Sequence, residues 1–189
     1  MDKVFERKYS VDVPKLRYGL NEEEFTVDKA FFEAFEYSPI QEGLVQVQVV
    51  IDKSSTHLDA KIHFQGEITL ECDRCLEPYP HKLDFGARIV YSFDEELEFD
   101  TDEVVLIEES TPTIFFAQDF YDFIVLQIPI RRVPDASVHL CAPEVLNLLG
   151  MNPDGSPKEP EPVEEEEEEE MDAEDPRWNA LKRLKDQEN

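Results

Sequence analysis

Between residues 58 and 70, apolar and polar side chains alternate almost without fault. Leu58, Ala60, Ile62, Phe64, Ile68 and Leu70 share one parity, and only Gly66 interrupts it. The same pattern returns in Leu83, Phe85, Ala87, Ile89, Tyr91 and Phe93, and in Val45, Val47, Val49 and Ile51 with Gln46 and Gln48 between them. Side chains of a strand point to opposite faces in turn, so a period of two over such lengths describes strands buried on one face and wet on the other. That is the habit of antiparallel sheets. Gly66 predicts a bulge or bend in its strand. The stretch CDRCLEPYP lies between the runs 58–70 and 83–93, which makes it a hairpin connection. Cys72 continues the inward parity, and Pro78 and Pro80 are expected to break the ladder before the next strand starts.

Weaker signals flank this core. Residues 1–28 read as short strands broken by Pro14 and a turn at Gly19–Asn21. DKAFFEAFE, residues 28–36, predicts a short helix capped by Asp28, with Phe31, Phe32 and Phe35 on one face and Ser38–Pro39 ending it. EVVLI, 103–107, offers a strand. Residues 119–128 predict a helix lined by Phe120, Phe123, Ile124 and Ile128 and stopped by Pro129. Residues 142–150 suggest a helix closed by Gly150. The fold class is therefore α+β: a mainly antiparallel sheet with long alternating strands and two or three short helices, over residues 1–150. Residues 151–175 are rich in proline and include seven consecutive glutamates, a composition that cannot order itself, so they read as a disordered acidic linker. Asp175 and Pro176 then suit the start of a short amphipathic helix over 176–189, with Trp178 and Leu181 on one face.

Charge narrows the functional classes. Lys and Arg number 18 against 45 Asp and Glu, a net charge of -27. Proteins gain affinity for nucleic acid by neutralising phosphates with cations, so direct capture of naked RNA is disfavoured. A basic protein partner suits this field better. MDKVFERKYS carries no apolar leader core, no run approaches a membrane span, and three cysteines are an odd number for a disulfide framework. The expectation is a cytoplasmic, non-enzymatic protein with no membrane contact. Its oligomeric state is not encoded in any recognisable pattern.

Three readings compete for Cys72 and Cys75. A redox dithiol needs a helix N-terminus to lower a thiol's pKa, and a hairpin tip lacks one. A zinc site uses CxxC as one half, because two thiolates on a tight turn reach one ion; His139 and Cys141 are the residues that could complete it. In the third reading Cys72 packs as a small apolar residue and Cys75 shapes the turn.

CDRCLEP (72–78), a helix leading into LQIPIRR (126–132), and DPRWNALKRL (175–184), in that order, resemble the YceD family, also called the large ribosomal RNA subunit accumulation protein family. Cys72, Arg74 and Cys75 match its CxRC signature, Pro129 the proline after the apolar helix, and Asp175, Pro176, Arg177 and Leu181 its DPR-x-x-x-L element. The resemblance implies a non-enzymatic factor in large-subunit biogenesis. Many members carry a second cysteine cluster after the proline; here only Cys141 stands in that region. Together with the charge, the resemblance points to a basic ribosomal protein or a precursor of the large subunit as partner, with Arg74, Arg131, Arg132, Arg177, Trp178 and Leu181 as contact residues. The alternative is a zinc-binding interaction module with no ribosomal role.

Overall fold

The alternating runs become three long strands of one sheet. The computed structural model describes residues 3–100, 103–152 and 156–158, and residues 1–156 form one compact unit. The chain opens with helix α1 (Lys3–Lys8), strand β1 (Ser10–Asp12), a 3-10 turn (Val13–Lys15), strand β2 (Gly19–Val27) and helix α2 (Lys29–Glu33). Then come β3 (Glu42–Lys53), β4 (His57–Glu71), β5 (Pro78–Ser92), β6 (Val104–Leu106), β7 (Thr113–Phe115), α3 (Ala117–Leu126) and α4 (Pro143–Leu148). The main sheet has the order β2-β3-β4-β5-β6, and β1 with β7 makes a separate two-stranded ladder. Neighbours are antiparallel except β5 and β6, which run parallel. Among the described residues no helix is long and apolar enough to cross a membrane.

One face of the sheet is dry. Val45, Val47, Val49, Ile51, Leu58, Ala60, Ile62, Phe64, Ile68 and Leu70 are all buried, while Gln46, Gln48, Lys61, His63 and Gln65 on the other parity are exposed. Aromatic rings cover the dry face. Phe120 of α3 meets Phe64 edge-on at 5.7 Å between centroids and lies 5.4 Å from Phe25. Phe116 packs edge-on against Tyr91 at 6.0 Å. Offset and edge-on pairs of this kind add to plain burial. Asp28 caps α2 as expected, accepting the Phe31 N–H at 3.1 Å, and Phe31 and Phe32 are buried. Phe35, beyond the end of α2, stacks on Tyr121 of α3 at 3.9 Å.

Four expectations need correction. The first residues form helix α1 rather than a strand, because Phe5 joins the ring cluster of Tyr9 and Phe31 at 5.3 and 5.6 Å; tertiary packing overrides local propensity here. Gly19–Asn21 is the start of β2, paired with Ile51–Lys53, and not a turn between strands. Gly66 carries no bulge: the register passes through Leu44↔Glu67, Val45↔Gly66 and Gln46↔Gln65 unbroken. Pro78 and Pro80 lie inside β5, paired with Glu71 and Thr69. The last point has a geometric reason. Val90 shares their parity and sends its N–H outward to Glu103 of the β6 side. Positions 78 and 80 therefore aim their missing N–H groups at a stretch of edge that β6, paired only with residues 90–92, leaves uncovered.

Helix α3 seats one acid in partial burial. The Tyr91 hydroxyl donates to Asp119 Oδ2 at 3.3 Å. Burial pushes the Asp119 carboxyl above the usual carboxylate range, more than Tyr91 lowers it, and the nearby Asp122 and Glu103 push the same way. A raised folded-state value means stability is full below the unfolded pKa and falls as pH rises through the folded one. Asp119→Asn keeps an acceptor for Tyr91 and removes that loss. Thermal melts should show the variant gaining on the parent at pH 7 and not at pH 4; an equal gain at both would contradict the assignment.

Candidate metal centre

The β4–β5 hairpin closes on a short, specified turn. Cys72 N–H donates to the Glu77 carbonyl at 3.0 Å and Leu76 N–H to the Cys72 carbonyl at 2.8 Å. Leu76 takes a positive φ of 60°, which lets the chain reverse within four residues. Cys72 is fully buried beneath this turn, and Cys75 is half-buried.

A second segment crosses the tip. After α3, Gln127 and Ile128 donate back into the helix end, Pro129 forbids continuation, and residues 129–142 run without helix or strand. Arg132 fastens this segment to the hairpin. Its carbonyl accepts the Asp73 N–H at 2.9 Å, its own N–H donates to Asp73 Oδ2 at 2.7 Å, and its Nε and Nη2 lie 3.0 and 2.8 Å from Asp73 Oδ1. Asp73 was not singled out from the sequence. The only signal for it is its place inside the CxxC, next to Cys72. Further on, Val138 and His139 both donate to the Asp135 carbonyl, and the chain then extends through Leu140 and Cys141 into α4. His139 and Cys141 are half-buried, and Leu140 between them is 71% exposed. Leu146 of α4 is buried, and Gly150 at φ 65° closes the helix as expected, with Met151 N–H donating to the Leu146 carbonyl at 2.8 Å.

The two segments bring four donors to one point. The Sγ atoms of Cys72, Cys75 and Cys141 and a ring nitrogen of His139 all lie within 4.8 Å of one another. Cys72 Sγ and Cys141 Sγ are 3.8 Å apart, and Cys75 Sγ and His139 Nε2 are 3.0 Å apart. Burial pushes the Cys72 thiol up, but the backbone N–H groups of Cys75 and Arg74 and the Cys75 and Cys141 thiols point at its sulfur, and the net effect holds it below an ordinary thiol. Cys141 goes the other way, pushed up to about 12 by burial and by the Cys75 and Cys72 sulfurs. The same cluster thus pushes the two thiols in opposite directions.

The remaining contact candidates divide. Arg74 and Arg131, with Asp135, His139 and Cys141, line an open cleft of about 290 Å³ beside the cluster. Arg132 is engaged with Asp73. Arg177, Trp178 and Leu181 lie outside the described residues, as do most of the acidic linker and the whole of the expected C-terminal helix.

A profile of the family described as large ribosomal RNA subunit accumulation protein YceD matches residues 60–185. The match begins in β4 and takes in the hairpin tip, the crossing segment and all four donors. No curated protein and no solved structure matches the chain.

Proposed function

Since this chain belongs to the YceD family of large ribosomal RNA subunit accumulation proteins, we propose that it acts in the cytoplasm as a non-enzymatic assembly factor that holds a basic ribosomal protein or a precursor of the large subunit. The family match carries this reading. Electrostatics support the choice of a protein partner over bare RNA. The net charge of -27 includes exposed acids on the folded unit, among them Glu22, Glu23 and Glu24 on β2 and Asp94, Glu95, Glu96 and Glu98 after β5. Such a field speeds encounter with a cationic protein and slows approach to phosphate. Against that background, Arg74 and Arg131 in one cleft are the polar contacts assigned to the hairpin end. Arg132 holds Asp73 and serves the partner only by positioning the segment. Arg177, Trp178 and Leu181 keep the contact role in the C-terminal segment. The zinc-module alternative shares the same donor cluster and adds no observation against a ribosomal role.

A tagged pull-down from cells tests the reading, with protein and RNA both analysed. A basic large-subunit protein, or a precursor particle, should be recovered. Arg74→Ala with Arg131→Ala, which removes the two contacts without adding acid, should weaken recovery about tenfold, the equivalent of ~1.4 kcal/mol. Loss on removing residues 176–189 would move the main contact to that segment. Recovery of neither ribosomal protein nor ribosomal RNA would overturn the proposal.

A further inference from the structure

We propose that Cys72, Cys75, His139 and Cys141 bind one Zn2+ ion, and that this ion staples residues 129–150 to the β4–β5 hairpin tip. The inference rests on local chemistry and stands whether or not the partner is ribosomal.

Geometry selects a single ion. Tetrahedral zinc with Zn–S bonds of about 2.3 Å and a Zn–N bond of about 2.1 Å places its ligand atoms roughly 3.6–3.8 Å apart. The Cys72–Cys141 sulfur pair is already at 3.8 Å, and every other donor pair lies within 4.8 Å. Ligands of an iron–sulfur cluster sit on different irons and must stand further apart, so this cage is too tight for one. Three thiolates and one imidazole are a soft donor set that selects zinc over magnesium or calcium. The backbone N–H groups of Arg74 and Cys75, aimed at Cys72 Sγ, are the outer contacts that orient a thiolate ligand. The two halves of the site are organised differently. The first is a reversing turn, and the second is an i, i+2 pair whose intervening residue is exposed.

The fold also shows why a staple is needed there. Segment 129–150 buries little: Leu146 is its only fully buried apolar residue, whereas Ile130, Val138, Leu140, Leu148 and Leu149 are exposed. Helix α4 has six residues, too few to persist without tertiary support. One acid–arginine clamp at Asp73–Arg132 holds the near end. The far end is tied to the sheet at the cysteine–histidine cluster. Small structural units with thin cores use metal in this way, and the binding energy becomes folding energy. Pinning the segment also builds the cleft, because Arg74 comes from the hairpin and Arg131 and Asp135 from the crossing segment.

The full chain, purified under reducing conditions without chelator, should carry about one zinc per chain by elemental mass spectrometry. Exchange of Co2+ into chelated protein should saturate at one equivalent, with the visible absorption of a tetrahedral site and a thiolate-to-cobalt band in the near ultraviolet. Cys141→Ser should abolish both signals. This variant alters a half-buried residue outside the sheet, so the protein remains available for measurement. His139→Cys should retain the metal and shift the cobalt spectrum toward four sulfurs. Removing zinc should raise amide exchange in 129–150 and leave β3 and β4 protected. Less than about one zinc per three chains together with no cobalt spectrum would overturn the site. So would an intact mass showing a Cys72–Cys141 disulfide in the reduced preparation, or metal retained at full occupancy in Cys141→Ser.

Discussion

Truncation of Phe120 to alanine is expected to cost about 3–5 kcal/mol, the range for removing a fully buried phenylalanine ring. The ring is 0% exposed and belongs to a stack that ties three parts of the fold together. It lies 5.5 Å from Phe116 in parallel orientation, 5.4 Å from Phe25 on β2 and 5.7 Å from Phe64 on β4, with Tyr9 edge-on at 6.4 Å. Phe25, Phe64, Phe116 and Tyr9 are themselves rings packed against Phe120, so they cannot easily reshape to refill the gap. For a domain of this size the loss corresponds to a fall in Tm of roughly 10 °C. The consequence reaches the candidate metal centre, because α3 delivers the chain into Pro129 and the Asp73–Arg132 clamp. A loosened helix lengthens the leash on that segment, so amide exchange at Arg132 should rise along with the fall in Tm. Phe123→Ala, at a partly buried position on the same helix, should cost clearly less. A Phe120→Ala loss under about 1 kcal/mol would mean that the ring cluster is not the element that docks α3.

The sheet was legible because its signal is redundant. Each of the three long strands repeats the same alternation at four or more positions, and the parity predicted inward is the parity found buried, from Val45 to Ile51 and from Leu58 to Leu70. Helices α3 and α4 were legible for a different reason, their apolar spacing and their Pro and Gly stops. Helix α1 was not. Its only cue is Phe5, whose partners are the local Tyr9 and, from the distant α2 segment, Phe31 and Phe35, and no local pattern encodes that second contact. Strand β7 escaped notice because its partner β1 is more than 100 residues away in the chain. Three residues each are too few to show a period.

The four donors at the hairpin tip show the same division. CxxC marks its half of the cluster by spacing alone. His139 and Cys141 do not, since one intervening residue is an unusual separation on a turn. What brings them to the cluster is the crossing segment, held to the hairpin by the Asp73–Arg132 clamp upstream and followed by α4 downstream. Arg132 illustrates the converse. An arginine pair in an acidic chain suggests a surface for a partner, yet one of the two is consumed by Asp73, a residue whose role depends on a contact 59 positions away.

Gly66→Ala is the second substitution with a large expected effect, and the reason lies in the backbone of the neighbouring strand. A Cβ at this position would overlap the Leu44 carbonyl oxygen and stand 2.7 Å from Val45 Cα. Neither atom can rotate away as a side-chain tip would, so β3 and β4 must separate locally. Overpacking of this kind costs about 1–3 kcal/mol, against which the lower entropy of the unfolded alanine chain returns about 0.4–1. A net loss of about 1 kcal/mol, or roughly 4 °C in Tm, is expected for a chain of this size. Gly86 supplies the control. It sits in the next strand, where a Cβ would meet only the Ile62 carbonyl at 3.7 Å, an ordinary contact, so Gly86→Ala should be neutral or slightly stabilising. The difference matters at the hairpin tip. Cys72 lies six positions beyond Gly66, and a strand that escapes the clash by slipping one position would turn every side chain to the opposite face. Cys72 would then leave the donor cluster. Gly66→Ala should therefore lower metal content as well as Tm, and Gly86→Ala should change neither. Equal Tm values for the two variants would show that the close approach of β3 and β4 at Gly66 does not set the register that delivers Cys72.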